Sequence, residues 1–401
     1  MDMYLYNKKE NDKQNTKFLL VAVLLSVFCI LKVLRGSNTE STASGGIWNF
    51  ISLFYYFILL VSIVKTKKYR LKPLFIASIT YIFFAVFAAI YNLNFELNIS
   101  NIYEFLMIPY AVIVFLSFYL CSGFSSKAEK IILFGYFGCI FLNIYSIFKF
   151  RFAGAAQAME SDIYFSLGLF PFALQFLKNK RIKILVIILE FVAVFMVNKR
   201  TALISFVLAL IVYLLVGAWI EQKNKFLGTL KTLLISGISI CLFYFITKYI
   251  DDKYNMQIYY RLFRLAEDGG SGRDVIYEKV WEAFKSSTIV EQLFGHGMNT
   301  AGKVGGAGHA HNDFLEILYN YGMIACISSV MFYVLLFVEC IRSVKRKSPY
   351  AASFSFSFVV GIFLAMFSYF LIFYTYVTCI MAFWGYVLCM EKKHRLKGHL
   401  A

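Results

Sequence analysis

The 401-residue chain is 60% AVILMFWYC, 19% aromatic and only 16% charged, with 44 Phe, 28 Tyr and 4 Pro. Soluble domains average about 45–50% apolar and about 25% charged residues, so a water-facing enzyme, a disordered scaffold and a disulfide-stapled secreted domain are excluded. The net charge of +17, from 40 Lys plus Arg against 23 Asp plus Glu, would suggest nucleic acid in a soluble chain; here the basic residues form short clusters between apolar runs, as membrane topology requires.

Apolar runs fall near 18–34, 47–64, 74–93, 102–121, 131–150 and 163–177, then near 184–198, 201–219, 230–250, 313–341, 351–369 and 371–390. The stretch from 351 to 390 would measure about 60 Å as one helix. A hydrocarbon core of about 30 Å cannot use that length in one crossing, so a hairpin of two helices is expected. The reading is an all-α polytopic membrane protein, one domain over residues 1–401, with about twelve transmembrane helices. The first run is longer than a signal-peptide core of about 7–15 residues and is read as a span. The eight cysteines lie in or at the ends of apolar runs, with no CxxC pair, and are read as buried thiols.

With the N-terminus inside, the clusters Lys8–Lys17, Lys65–Lys72, Lys178–Lys183, Lys223–Lys231, Arg342–Lys347 and Lys392–Lys397 all become cytoplasmic. That satisfies the positive-inside rule and puts both termini in the cytoplasm. Only one connection is long, residues 251–312, and this arrangement makes it extracytoplasmic, just before the tenth span. Long loops in compact proteins are usually functional, so this loop is where chemistry is expected.

Three of the five histidines, His296, His309 and His311, fall in that loop, where a glycine-rich stretch runs straight into the tenth span. His311 would stand at the mouth of that span, where an imidazole can exchange a proton near neutral pH. Asn312 or Asp313 suits the N-cap of the helix that follows. Arg200 lies in Asn-Lys-Arg-Thr between two spans that nearly touch, where a guanidinium is costly without an anionic partner. Arg273, in Gly-Gly-Ser-Gly-Arg-Asp, stands where a helix should start, with Ser271 and Asp274 spaced like a capping box. Ile276, Tyr277, Val280, Trp281 and Phe284 would share one interfacial face of that helix. Two guanidinium groups and an imidazole on one side of a membrane suit a phosphorylated lipid. No HExxH motif is present, and the reading takes no metal and no cofactor. Glu190 is the one carboxylate deep in a span, a type of residue that can mark an ion pathway.

These motifs resemble the O-antigen ligase and polymerase superfamily. The likeness rests on His311-Asn312, nine further residues and then Gly322-Met-Ile-Ala325, where the family often ends the motif in Gly. It rests also on Lys199-Arg200-Thr-Ala-Leu, on Gly272-Arg273 before an aliphatic–aromatic helix, and on Phe-Gly-His-Gly. The resemblance implies a C-type glycosyltransferase-like fold in the bacterial cytoplasmic (inner) membrane and metal-independent inverting transfer from an undecaprenyl-diphosphate-linked glycan to a glycan acceptor. By it, His311 is the catalytic residue, Arg200 and Arg273 bind the diphosphate, and Lys199, His309 and Asn312 support them. A chain-length regulator protein is an implied partner. A surface-polysaccharide polymerase is favoured by the glycine-rich approach to His311. A ligase acting on lipid A core or on protein is the alternative, and a lipid-linked oligosaccharide flippase is the rival from another class.

Overall fold

The computed structural model describes residues 19–34, 99–120, 125–152, 162–197, 199–221, 269–297, 300–306, 309–368 and 376–398, with scattered positions between 54 and 58 and between 234 and 259. Every regular element among these residues is helical. The chain divides into two compact units, one of Met1–Leu71, Pro109–Ala202 and Thr375–Ala401, the other of Lys72–Ile108 and Leu203–Tyr374.

In chain order the helices are α1 Leu19–Leu34, α2 Ile99–Leu120, α3 Ser126–Phe152, α4 Ile163–Phe176, α5 Lys180–Met196 and α6 Arg200–Glu221. They continue with α7 Gly269–Lys285, α8 Ile289–Phe294, α9 Thr300–Gly305, α10 Asp313–Lys345, α11 Ala351–Phe367 and α12 Val377–Gly398. The stretch 351–390 is divided into two helices, α11 and α12, and residues 369–375 between them lie outside the described residues. Among the described residues three helices are long and apolar enough to cross a membrane, 126–149, 200–221 and 313–345. The expected twelve are therefore not all found as full-length spans: α4, for example, has 14 residues, or about 21 Å. The runs at 47–64, 74–93 and 230–250 lie almost wholly outside the described residues.

The first unit is built around α4. Ile163 through Leu174 are all buried, as a helix apolar on every side must be, and α3, α5 and α12 pack around it. Small residues let helices approach, as is common in membrane bundles. A Cβ at Gly168 would lie 2.7 Å from Cys379 Cβ, and one at Gly385 2.3 Å from the Phe115 carbonyl oxygen. Glu190 is fully buried here. The Tyr136 hydroxyl donates to one of its oxygens and the Ser166 hydroxyl to the other, each at 3.1 Å, so the carboxylate is satisfied within its own bundle. The thiol reading holds for Cys29, Cys139, Cys340, Cys379 and Cys389, which are buried, whereas Cys241 is exposed and Cys326 only half-buried.

In the second unit α10 and α11 pack side by side, with Phe337 against Phe358 at 5.5 Å. Helix α10 has 33 residues but is broken at Gly322, which has φ 84 and ψ 174. Beyond the break Met323, Ile327, Val330, Met331, Val334, Phe337 and Ile341 are exposed, an apolar stripe at helical spacing. From Met323 to Ile341 it rises about 27 Å, close to the hydrocarbon thickness. Before the break, Asp313, Glu316 and Asn320 are fully buried. The expected span at 313–341 is thus two pieces, a buried polar turn-pair leading from His311 and an apolar crossing from Met323.

Candidate functional site

The loop expected to carry chemistry contains α7, α8 and α9, and these fold onto the first part of α10. Ile276, Val280 and Phe284 of α7 form a small core with Ala301, Ala310 and Tyr319. Burial of each larger side chain contributes about 1.5–3 kcal/mol. Trp281, expected on the same face, is instead 45% exposed, with Lys285 Nζ over its ring at 5.9 Å. The face that packs on Ala301, Ala310 and Tyr319 is narrower than the full apolar arc, and Trp281 falls at its edge.

The Phe-Gly-His-Gly segment docks into the break in α10. A residue at φ 84 leaves helical geometry and opens the hydrogen-bond ladder at that level. The backbone amides of His296 and Gly297 donate to the carbonyls of Tyr319 and Asn320 at 2.9 and 3.0 Å. The two segments meet backbone to backbone: a Cβ at Gly295 would lie 2.4 Å from Asn320 O, and one at Gly322 2.2 Å from Leu293 O. Both glycines have positive φ, 79 and 84, so only glycine meets both demands. The His296 ring stacks on Tyr319 with centroids 4.0 Å apart, and its Nε2 lies 2.8 Å from Ser287 Oγ. A capping box that sequence reading missed, Thr288 with Glu291, starts α8. Those hydrogen bonds, from the Thr288 backbone first and its side chain second, hold the Glu291 carboxyl below its ordinary range.

His311 is half-buried and sits in left-handed backbone, φ 56, which costs a non-glycine residue of order 1 kcal/mol. Its neighbours fix that turn. The Asn312 side chain accepts from the amides of Phe314 and Leu315 at 3.0 and 3.2 Å, so Asn312 is the N-cap of α10, as expected. The Tyr277 hydroxyl donates to the His311 carbonyl at 3.1 Å. Burial pushes the Tyr277 phenol up, against the opposing pull of Arg273 and the Asn312 hydrogen bond. His309 is half-buried, and burial holds its imidazole below the ordinary value, favouring the neutral ring.

Arg273 follows Gly272, whose φ of 74 interrupts the helix, so it heads the regular part of α7. The described side chains leave out Ser271, so the expected Ser271–Asp274 box lies outside them. One guanidinium N–H of Arg273 donates to the Phe367 carbonyl at the end of α11, at 2.5 Å. Tyr277, one turn on, lies 3.5 Å from the Met366 carbonyl as well as on His311. Arg273 and Tyr277 thus both reach the C-terminal end of α11, and Tyr277 also holds the His311 carbonyl. Arg200 heads α6 in the first unit, half-buried. Beside it Lys199 Nζ stands 4.9 Å from the Tyr164 ring centroid, a cation–π pair. Among the described residues no group of three His, Cys, Asp or Glu side chains is placed to hold a metal.

Glu316 and Asn320 were not singled out from sequence. They stand four apart at the start of an apolar run, and that polar pair on one helix face was the available signal. Glu316 accepts from the Ala310 amide and from Asn320 Nδ2 at 3.1 Å.

No curated protein matches this chain. Residues 184–330, under half of the chain, match the family model described as O-antigen ligase, a segment that contains Arg200, Arg273 and His311 and is consistent with the O-antigen polymerase/ligase superfamily.

Proposed function

We propose that the protein is a metal-independent inverting glycosyltransferase that polymerises lipid-diphosphate-linked repeat units into surface polysaccharide, with His311 as its base. The observation that carries the reading is the backbone at His311, a left-handed residue tied by Tyr277 and followed at once by the Asn312 cap. Such strain is retained where a side chain must be aimed. The two arginines add electrostatic support. Arg200 heads α6 and Arg273 heads the regular part of α7, so each cation sits at the positive end of a helix dipole, opposite to the ordinary preference. Arg273 already meets the C-terminal carbonyl of α11, and guanidinium groups at helix ends suit a diphosphate.

In the proposed reaction the donor is an undecaprenyl-diphosphate-linked glycan at the outer face of the cytoplasmic membrane. His311 takes the proton of an acceptor hydroxyl, whose oxygen bonds to the anomeric carbon from the face opposite the leaving group. The bond from that carbon to the diphosphate oxygen breaks, and the lipid diphosphate departs with the electron pair, its charge offset by Arg200 and Arg273. Lys199 and His309 stand beside these groups in sequence and support them.

The family match supports a second reading, a ligase, equally. Of the glycine-rich approach that the sequence reading ties to a polymerase, Gly295-His296-Gly297 also serves the docking on the Gly322 break. Glycan analysis of cells lacking the protein separates the readings. Loss of a polymerase leaves single repeat units transferred to the surface acceptor. Loss of a ligase leaves polymer on the carrier lipid, and loss of a flippase leaves units on the inner leaflet. His311→Ala and Arg273→Ala should each abolish the product while the protein stays in the membrane. Removal of Arg273 also costs α11 a C-terminal partner, an effect of about 0.3–1 kcal/mol, too small to abolish folding. Wild-type glycan in both variants ends the proposal.

A further inference from the structure

We propose that Glu316 is a positioning residue for His311, acting through the backbone immediately before it; this rests on the reading of His311 as the base. Glu316 is fully buried, as is Asn320 one turn on. One carboxylate oxygen accepts the Ala310 amide. The other accepts Asn320 Nδ2 at 3.1 Å. Asn320 Oδ1 in turn accepts the Ala301 amide at 2.8 Å and lies 3.1 Å from the Thr300 hydroxyl. A chain of hydrogen bonds therefore runs from the first turn of α9, through α10, to the peptide that leads into His311.

The chemistry of the chain explains why the residue is an acid. The Ala310 amide and Asn320 Nδ2 are both N–H donors to Glu316, and Asn320 cannot turn its amide round because its oxygen is already held by Ala301. Position 316 needs acceptors on both atoms, which a carboxylate supplies and a glutamine does not. A buried carboxylate is costly to keep, and the Ala310 and Asn320 N–H groups that it accepts from offset that cost. What the acid adds is a grip on residue 310. His311 at φ 56 would relax toward ordinary backbone unless held on both sides. Glu316 holds the preceding amide, Tyr277 the residue's own carbonyl, and Asn312 the helix that follows.

The test uses the full-length protein in membranes, with two readouts, glycan transfer and amide hydrogen exchange of the peptide covering residues 306–312. Glu316→Gln should lower transfer at least tenfold and speed exchange of that peptide. Glu316→Gln combined with Asn320→Asp exchanges acid and amide; the introduced amide can donate to the introduced carboxylate, which still accepts from Ala301. That pair should return both readouts to within a few-fold of wild type, which simple loss of packing would not allow. Wild-type transfer and exchange in Glu316→Gln, or a double variant no better than the single one, overturns the proposal. If His311→Ala proves active, the catalytic reading fails on its own. Faster exchange in Glu316→Gln, reversed in the pair, then still reports the grip.

Discussion

The phenol of Tyr277, on α7, donates to the backbone carbonyl of His311 at 3.1 Å across 34 positions of sequence. This hydrogen bond joins the helix headed by Arg273 to the residue read as the base, so it links the two halves of the proposed chemistry that lie in one unit.

Tyr277→Phe removes that hydrogen bond and keeps the ring. A net hydrogen bond is worth about 1 kcal/mol, and about 1.4 kcal/mol is tenfold in rate. Transfer should therefore fall roughly five- to tenfold, with the amount of protein in the membrane unchanged. Rates measured in isolated membranes check this; an unaltered rate would show that the His311 carbonyl needs no tether.

The contact between the 295–297 segment and the break in α10 makes a sharper claim about folding. Gly322→Ala would place a Cβ 2.2 Å from Leu293 O in backbone at φ 84, so clash and strain act together. The loss should exceed about 3 kcal/mol and show as degraded protein and early thermal unfolding. Gly306→Ala is the comparison: φ is 72, but nothing lies within 4 Å of its Cβ. It should cost only the left-handed strain, about 1–2 kcal/mol. Equal losses in the two would contradict the backbone contact.

His309 gives a pH dependence with a definite sign. Burial holds its folded pKa below the ordinary imidazole value, which is about 6.5 in an unfolded chain. The unfolded state then binds more protons between the two values, and stability rises with pH across that window. Its contribution is fully present above about pH 6.5 and is lost as the pH falls through the depressed folded value. Thermal unfolding in detergent between pH 5 and 8 should show this acid loss, and His309→Gln should reduce it. A profile identical in the two proteins would assign the acid loss to other groups.

Much of the architecture was legible along the chain because it depends on local rules. The composition called for apolar helices; the 40-residue stretch from 351 called for two helices because one crossing cannot use its length. Asn312 was readable as a cap because capping couples a side chain to amides two and three residues on. Arg273 was readable as a helix start because the glycines precede it. The residues that resemble the family lie in 195–330, inside the segment that the family match covers.

What only the tertiary structure decided are pairings between distant backbone groups. That Gly295 and Gly322 serve one contact, that Glu316 reaches back to Ala310 and that Trp281 is left outside the small core depend on which surfaces meet. Sequence spacing reports the face a residue occupies within its own helix, through the 3.6-residue period. The partner of that face is chosen by steric fit and hydrogen-bond satisfaction over the assembled unit. A break at Gly322 has no local cause that a hydropathy run displays; it persists because the amides of His296 and Gly297 are there to complete its bonds.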